Sequence, residues 1–278
     1  MTYKNVAQIA ARFRDPKDLK RQSNPNLKEM TAALDDLQAM GAEGVNSLVA
    51  LLKTDAEGGD VHVRHALHAQ AMRAGGWPEP ERQAFARALA VTLKADHPKP
   101  VKGFVIRQLQ IAGGREITTA LGEWLLDDEL WEDTTQALLA IGATAVQFLQ
   151  ILPKAKGRKL LTIVQALGVL KVKEAADRLR ELAGAEDSTL RQVAVWALAN
   201  MPDAGAVDTI LKAADSSQGH ERTKHLSSCL QLAENLLALG LEREAIRIYL
   251  HLRDARKNST GVHIREAARR GLKIRDDL

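Results

Sequence analysis

Along residues 187–214, DSTLRQVAVWALANMPDAGAVDTILKAA, apolar positions recur with the period of a helix rather than the alternation of a strand. Leu190, Val193, Ala194, Ala197 and Leu198 stand at offsets of three, four, seven and eight, which gathers them into one stripe. Asp187 and Ser188 can accept the first backbone N–H groups, Pro202 cannot continue the helix, and Asp203 opens a second one. There Val207, Ile210, Leu211 and Ala214 repeat the spacing. Two such helices cannot bury both stripes against each other and also cover their flanks, so the pair predicts neighbours of its own kind.

Those neighbours are present. One pair spans 26–40 and 42–53, divided at Gly41. A second spans 60–72 and 79–95, with Gly75, Gly76 and Pro78 between, and a third spans 98–112 and 115–126 around Gly113 and Gly114. A fourth spans 129–141 and 143–152 around Gly142 and stops at Pro153, while a fifth spans 157–167 and 169–183 and is expected to break at Gly168. After the opening stretch, a seventh runs from about Glu221 to Leu239, Gly240, then LEREAIRIYLHL, and the single segment VHIREAARRGLKI closes the chain. The breaks from Gly41 to Gly271 recur on average about every 33 residues, a helical-repeat spacing. Glycine suits them because a helix end favours a left-handed residue without a Cβ.

In three first helices, an Arg follows the first stripe residue and Ala stands three or four positions beyond that residue: VRHALHAQA at Val63, LRQVAVWALA at Leu190 and IREAARRGL at Ile264. These phrases resemble bacterial HEAT-like repeats of the kind also found in phycobilin lyases, most clearly over 105–272. The seventh unit, with Ala245, Ile248 and Tyr249, instead resembles a tetratricopeptide helix pair. The expected fold is therefore all-α: a right-handed α-solenoid, or superhelix, of about seven to eight HEAT-like antiparallel helix pairs. It is expected to form one domain over 1–278, with a basic lead-in at 1–26, helix pairs over 27–257 and a capping helix at 258–278. The HEAT resemblance implies that second helices line a concave face used for holding partners.

Composition agrees with that class. Residues are 45% hydrophobic, enough for a continuous core, but only 4% aromatic, which leaves few stacking platforms for bases. Cys229 is alone, so neither an internal disulfide nor a cysteine metal cluster can form. Charges interrupt the N-terminus every few residues and no apolar run nears 18 residues, which points to a soluble cytoplasmic protein with no membrane contact. The net charge of +4 is unevenly spread. Residues 1–28 are basic through Lys4, Arg12, Arg14, Lys17, Lys20, Arg21 and Lys28. Residues 116–133 hold Glu116, Glu123, Asp127, Asp128, Glu129, Glu132 and Asp133 with no Lys or Arg, which argues against one continuous phosphate-binding stripe.

Candidate chemistry is sparse. His62, His65 and His68 recur every three residues and could pair on a metal, yet no third ligand is near, so the assignment is no metal and no cofactor. Cys229 sits among Leu226, Leu230 and Leu232 as a core residue, and no local signature marks a catalytic triad; the chain is read as not an enzyme. Trp124 and Asp128 stand four apart, the spacing by which HEAT-like alkylated-base DNA glycosylases place a Trp and an Asp, but inside the acidic block. Basic runs at Lys154, Lys156, Arg158 and Lys159 and at Arg253, Arg256 and Lys257 read as solvated loops. Residues off the stripes of the second helices form the contact set: Arg82, Arg87, Thr118, Gln147, Lys173, Asp177, Asp208, Lys212, Arg243 and Arg247.

The expected function is a non-catalytic scaffold that binds a protein partner on those second helices. A DNA-binding or glycosylase-like protein ranks second, and a chromophore lyase, supported by repeat resemblance alone, third.

Overall fold

The computed structural model describes residues 3–13, 27–54, 59–142, 144–254 and 262–276. Among them are sixteen helices, short 3-10 turns and no strand. The chain divides into two compact units, Met1–Gln147 and Phe148–Leu278. The first holds α1 (Tyr3–Ala10), α2 (Leu27–Ala39), α3 (Gly41–Ala50), α4 (Val61–Ala74), α5 (Glu79–Thr92), α6 (Lys99–Ala112), α7 (Thr118–Gly122) and α8 (Trp131–Ile141), and α9 (Ala145–Ile151) begins at its end. The second holds α10 (Gly157–Val169), α11 (Ala176–Leu182), α12 (Ser188–Asn200), α13 (Val207–Ser216), α14 (Gly219–Ala238), α15 (Glu242–Asp254) and α16 (Val262–Asp276).

Within each unit, a helix packs on its sequence neighbour and on the next helix but one. In the first unit α2, α4, α6 and α8 form one row, while α1, α3 and α5 form the other, continued by the turn Arg115–Ile117 that leads into α7. In the second, α10, α12, α14 and α16 form the first row, and α13 meets α15 in the other. The central helix α12 shows why this works. Ala194, Val195, Ala197, Leu198 and Ala199 are all buried, an arc wider than the predicted stripe because neighbours cover it from several sides. Asp187 caps its start, its Oδ1 accepting from the N–H groups of Thr189 at 2.8 Å and Leu190 at 2.9 Å. Asp203 does the same for the following turn through Gly205 N–H at 3.0 Å.

Three expectations are corrected. The lead-in contains a helix, α1, whose Val6, Ile9 and Ala10, with Phe13 just beyond it, are buried. Its contact with α3 makes it the first member of the second row. The expected break at Gly168 lies inside α10, which ends at Val169. A Cβ there would stand 2.8 Å from Cα and Cβ of Ala197, so this glycine permits close approach of α10 and α12. Gly271 likewise lies inside α16, facing the Tyr249 ring at 2.5 Å from an added Cβ. At Gly142, with φ 79°, and Gly240, with φ 73°, glycine does take the left-handed turn expected.

Candidate functional site

The ten residues predicted to line the second helices separate into two groups. In the first unit Arg82 is spent internally. Its Nε and Nη2 donate to Glu79 at 2.9 and 2.7 Å, and its Nη1 donates to Glu116 at 2.9 Å and to the Ala112 carbonyl at 2.6 Å. Thr118 is only 7% exposed, donates to the Arg115 carbonyl and accepts from Gln147 Nε2 at 3.3 Å, so neither Thr118 nor the half-buried Gln147 offers a contact surface. Arg87 is exposed, its Nη2 donating to Gln83 of the same helix at 3.3 Å.

In the second unit the predicted residues lie in the open. Lys173 and Asp177 at α11, Asp208 and Lys212 on α13, and Arg243 and Arg247 on α15 are all exposed. Their charges are of both signs. Arg247 donates to Asp208 across the gap between α15 and α13, and Asp177 accepts from Arg180, which also reaches Asp203 at 3.0 Å. His251 on α15 meets Asp215 on α13 at 3.1 Å. These pairs are open to water and individually weak, but they hold the second helices in register without making the face uniformly positive or negative.

The acidic block is the main feature the sequence misled about. Glu116, Glu123, Asp127 and Asp133 face Arg82, Lys94, Lys99 and Arg107 from the preceding helix pair, with Lys94 to Glu123 at 3.3 Å and Arg107 to Asp133 at 2.6 Å. Burial pushes Asp127 up, but Lys99 and the N–H groups of Glu129 and Leu130 outweigh it and hold its carboxyl below the usual range. The block thus serves as a counter-charge within the unit. Trp124 and Asp128 do not share a helical face, because α7 ends at Gly122 and both lie in the turns beyond it. Ammonium groups of Lys99 and Lys102 lie 4.9 and 4.7 Å from the centre of the Trp124 ring.

The histidine ladder ties helices together. His62 donates through Nδ1 to the Phe13 carbonyl, His65 meets the Phe13 ring edge-on at 5.4 Å, and His68 Nδ1 lies 3.0 Å from Gln108 Oε1 on α6. Among the described residues no three His, Cys, Asp or Glu side chains gather into a metal-holding group. The Cys229 thiol is buried, pointing at the Ile210 carbonyl at 3.9 Å. Lys154 and Lys156 are exposed in the turn before α10, and Arg253 pairs with the adjacent Asp254. Arg14, Lys17, Lys20, Arg21, Arg256 and Lys257 lie outside the described residues.

One surface feature was missed. Trp196 is 37% exposed and lines a cleft of about 440 Å³ between α12 and α14, with Gln192, Lys224, Ser227 and Gln231. Its signal was a large aromatic off the buried stripe of α12.

Two of the three arginines noted in the sequence, Arg64 and Arg191, have a shared task. Arg64 donates to Asp60 at 2.8 Å and to the Lys53 carbonyl at 2.6 Å, and Arg191 donates to the carbonyls of Ala185 and Glu186 at 2.8 and 2.7 Å. Each guanidinium thereby closes the end of the preceding helix pair. Over residues 145–230 the sequence matches the family model for HEAT repeats. The matched segment includes α11, α12 and α13, with Lys173, Asp177, Asp208 and Lys212 of the exposed face, and the Trp196 cleft. No curated protein sequence matches this chain. Among solved structures, an engineered protein is similar at 14% identity, covering 97% of this chain and 79% of its own, with a TM-score of 0.47. The complex of CpcE and CpcF of phycocyanin lyase from Nostoc sp. PCC7120 is similar at 19% identity, with 90% and 93% coverage and a TM-score of 0.36. Human deoxyhypusine hydroxylase follows at 16% identity, with 99% and 97% coverage and a TM-score of 0.31.

Proposed function

We propose that the chain is a non-catalytic, cytoplasmic scaffold that holds a protein partner on the exposed face of α11, α13 and α15. The observation that carries this reading is the mixed sign of that face. Lys173, Lys212, Arg243 and Arg247 share the face with Asp177 and Asp208, all exposed. Charges of both signs recognise a partner surface of complementary pattern and set its register, whereas binding to a phosphate backbone starts from uncompensated Lys and Arg. HEAT repeats suit such a role because stacked helices present area rather than a deep reaction centre.

Amine-reactive cross-linking of the full chain in lysate, read by mass spectrometry, tests it. One protein should recur with cross-links at Lys173 and Lys212, and the variant K212E/R243E/R247E should bind it at least tenfold more weakly. Repeated failure to recover a protein, or indifference of the recovered one to the three substitutions, would overturn the reading. So would binding to duplex DNA that falls steeply between about 50 and 200 mM salt.

A further inference from the structure

In the second unit α10, α12 and α14 stand side by side in the first row, and their open side carries few charges. Its exposed side chains include Gln165, Val169, Thr189, Trp196, Ser227 and Gln231. Arg158 and His220 lie at helix starts, and Glu234 lies near the end of α14. Between those ends Lys224 is the one exposed charged residue on the three helices, in a chain whose residues are 27% charged. A surface depleted of charge around an exposed aromatic has the composition of an interface core.

Trp196 is seated in advance. Its Cζ3 stands 2.9 Å from the point that a Cβ on Gly168 would occupy, so the ring rests against α10 where that glycine leaves room. The residue stays 37% exposed and lines the cleft of about 440 Å³ between α12 and α14. A large ring already fixed in place loses little freedom on contact, which suits it to anchor a partner.

The charge at this cleft is uncompensated. Lys224 is the only charged residue lining it. Glu221 stands one turn earlier on α14, but Arg191 engages it at 2.9 and 3.1 Å. Glu234, further along α14, lines a separate cleft with Tyr249 and Arg270. Neither Lys224 nor Gln192, on the facing helix α12, has a hydrogen-bond or ion-pair partner among the described residues. Gln231 donates its amide N–H to Asn235 at 3.4 Å, which leaves its carbonyl oxygen to accept.

We propose that this cleft docks an acidic segment of a protein partner, one that carries a large apolar side chain with a carboxylate within a few residues of it. The apolar side chain covers the Trp196 ring, the carboxylate meets Lys224, and the amides of Gln192 and Gln231 bond the backbone of the segment. A nucleic-acid strand is disfavoured, because its affinity rests on several neutralised phosphates and the cleft supplies one ammonium.

Panning the full chain against a phage-displayed library of random peptides, followed by fluorescence anisotropy on the enriched sequences, tests the assignment. Enriched peptides should pair a large apolar residue with a nearby Asp or Glu. Trp196→Ala and Lys224→Glu should each weaken them by about tenfold or more, while Lys224→Arg retains binding. Replacing the peptide's acid by Lys should restore part of the affinity for K224E, a charge swap at an exposed position that does not depend on refolding the core. No enrichment, enriched peptides without a carboxylate, or binding unchanged in both W196A and K224E would each overturn the proposal. So would a single-stranded oligonucleotide that binds and is lost in W196A. Peptides lost in K212E/R243E/R247E but kept in W196A would belong to the α11, α13 and α15 face and would also count against this cleft, so the two readings fail separately.

Discussion

Glu116 has a side chain only 5% exposed, beside a guanidinium that is 14% exposed, so removing Arg82 leaves a carboxylate where water cannot solvate it. Breaking a buried pair on one side is the expensive case. Arg82→Ala is expected to lower stability by about 3 kcal/mol, read as a lower urea midpoint with unchanged slope. Arg82→Lys should recover only part, because one ammonium cannot serve Glu79, Glu116 and the Ala112 carbonyl together. The same cluster sets an acid response. Burial raises Glu116, but hydrogen bonds from Arg82 and the Gly114 N–H prevail and hold it below its ordinary 4.5, while hydrogen bonds from Arg82 and Gln83 hold exposed Glu79 at about 2. Between about pH 4.5 and 2 the unfolded chain therefore binds more protons than the folded one, so this stabilisation is complete above 4.5 and is lost as pH falls toward 2. A urea titration at stepped pH should show that fall, with a shallower slope in R82A. Arg82 was read as a contact residue because it lies off the stripe of α5. Periodicity locates a Cα, but a long side chain can reach the next helix pair. Thr118 escaped for another reason: α7 has five residues, too few turns to define a stripe.

Glycine is where helix boundaries and helix packing compete for the same residue. Gly142 and Gly240 have positive φ and end their helices, whereas Gly168 and Gly271 run through theirs because neighbours leave no room for a methyl. A sequence shows the glycine and not which demand it answers, so the helix pairs were legible and two of their boundaries were not. In an exposed helix, Gly→Ala gains about 1 kcal/mol. Here Gly168→Ala is expected to destabilise by about 1–3 kcal/mol, since the backbone of Ala197 cannot yield. Gly271→Ala should be rescued by Tyr249→Leu, as the obstruction there is a side chain. Thermal melts of the singles and the G271A/Y249L double separate the two mechanisms. Helix α1 illustrates the converse error. Val6, Ile9, Ala10 and Phe13 obey the same spacing as every other stripe, within a segment whose many basic residues mask it. Phe13 is fully buried and receives both His62 and His65, so Phe13→Ala should cost about 3 kcal/mol.

At the scale of the molecule, the pairings that join helix pairs within each unit are nearly all about one repeat long. Arg82 with Glu116, Arg107 with Asp133, and Arg191 with Glu221 are separated by 34, 26 and 30 residues. Cohesion in such an array is a sum of neighbour terms, so a local defect should loosen its neighbours and leave distant helices intact. Native-state hydrogen exchange can read this directly, because each amide reports the opening that exposes it. Phe13→Ala should speed exchange in α1, α3 and α4, which pack around Phe13 or its helix, and leave α6 and α8 at wild-type protection. Gly168→Ala should act on α10 and α12 while α15 and α16 keep theirs. Uniform loss of protection across a unit in either variant would mean that it folds as one cooperative core. Independent helix pairs could then no longer explain why its charges are matched one repeat at a time.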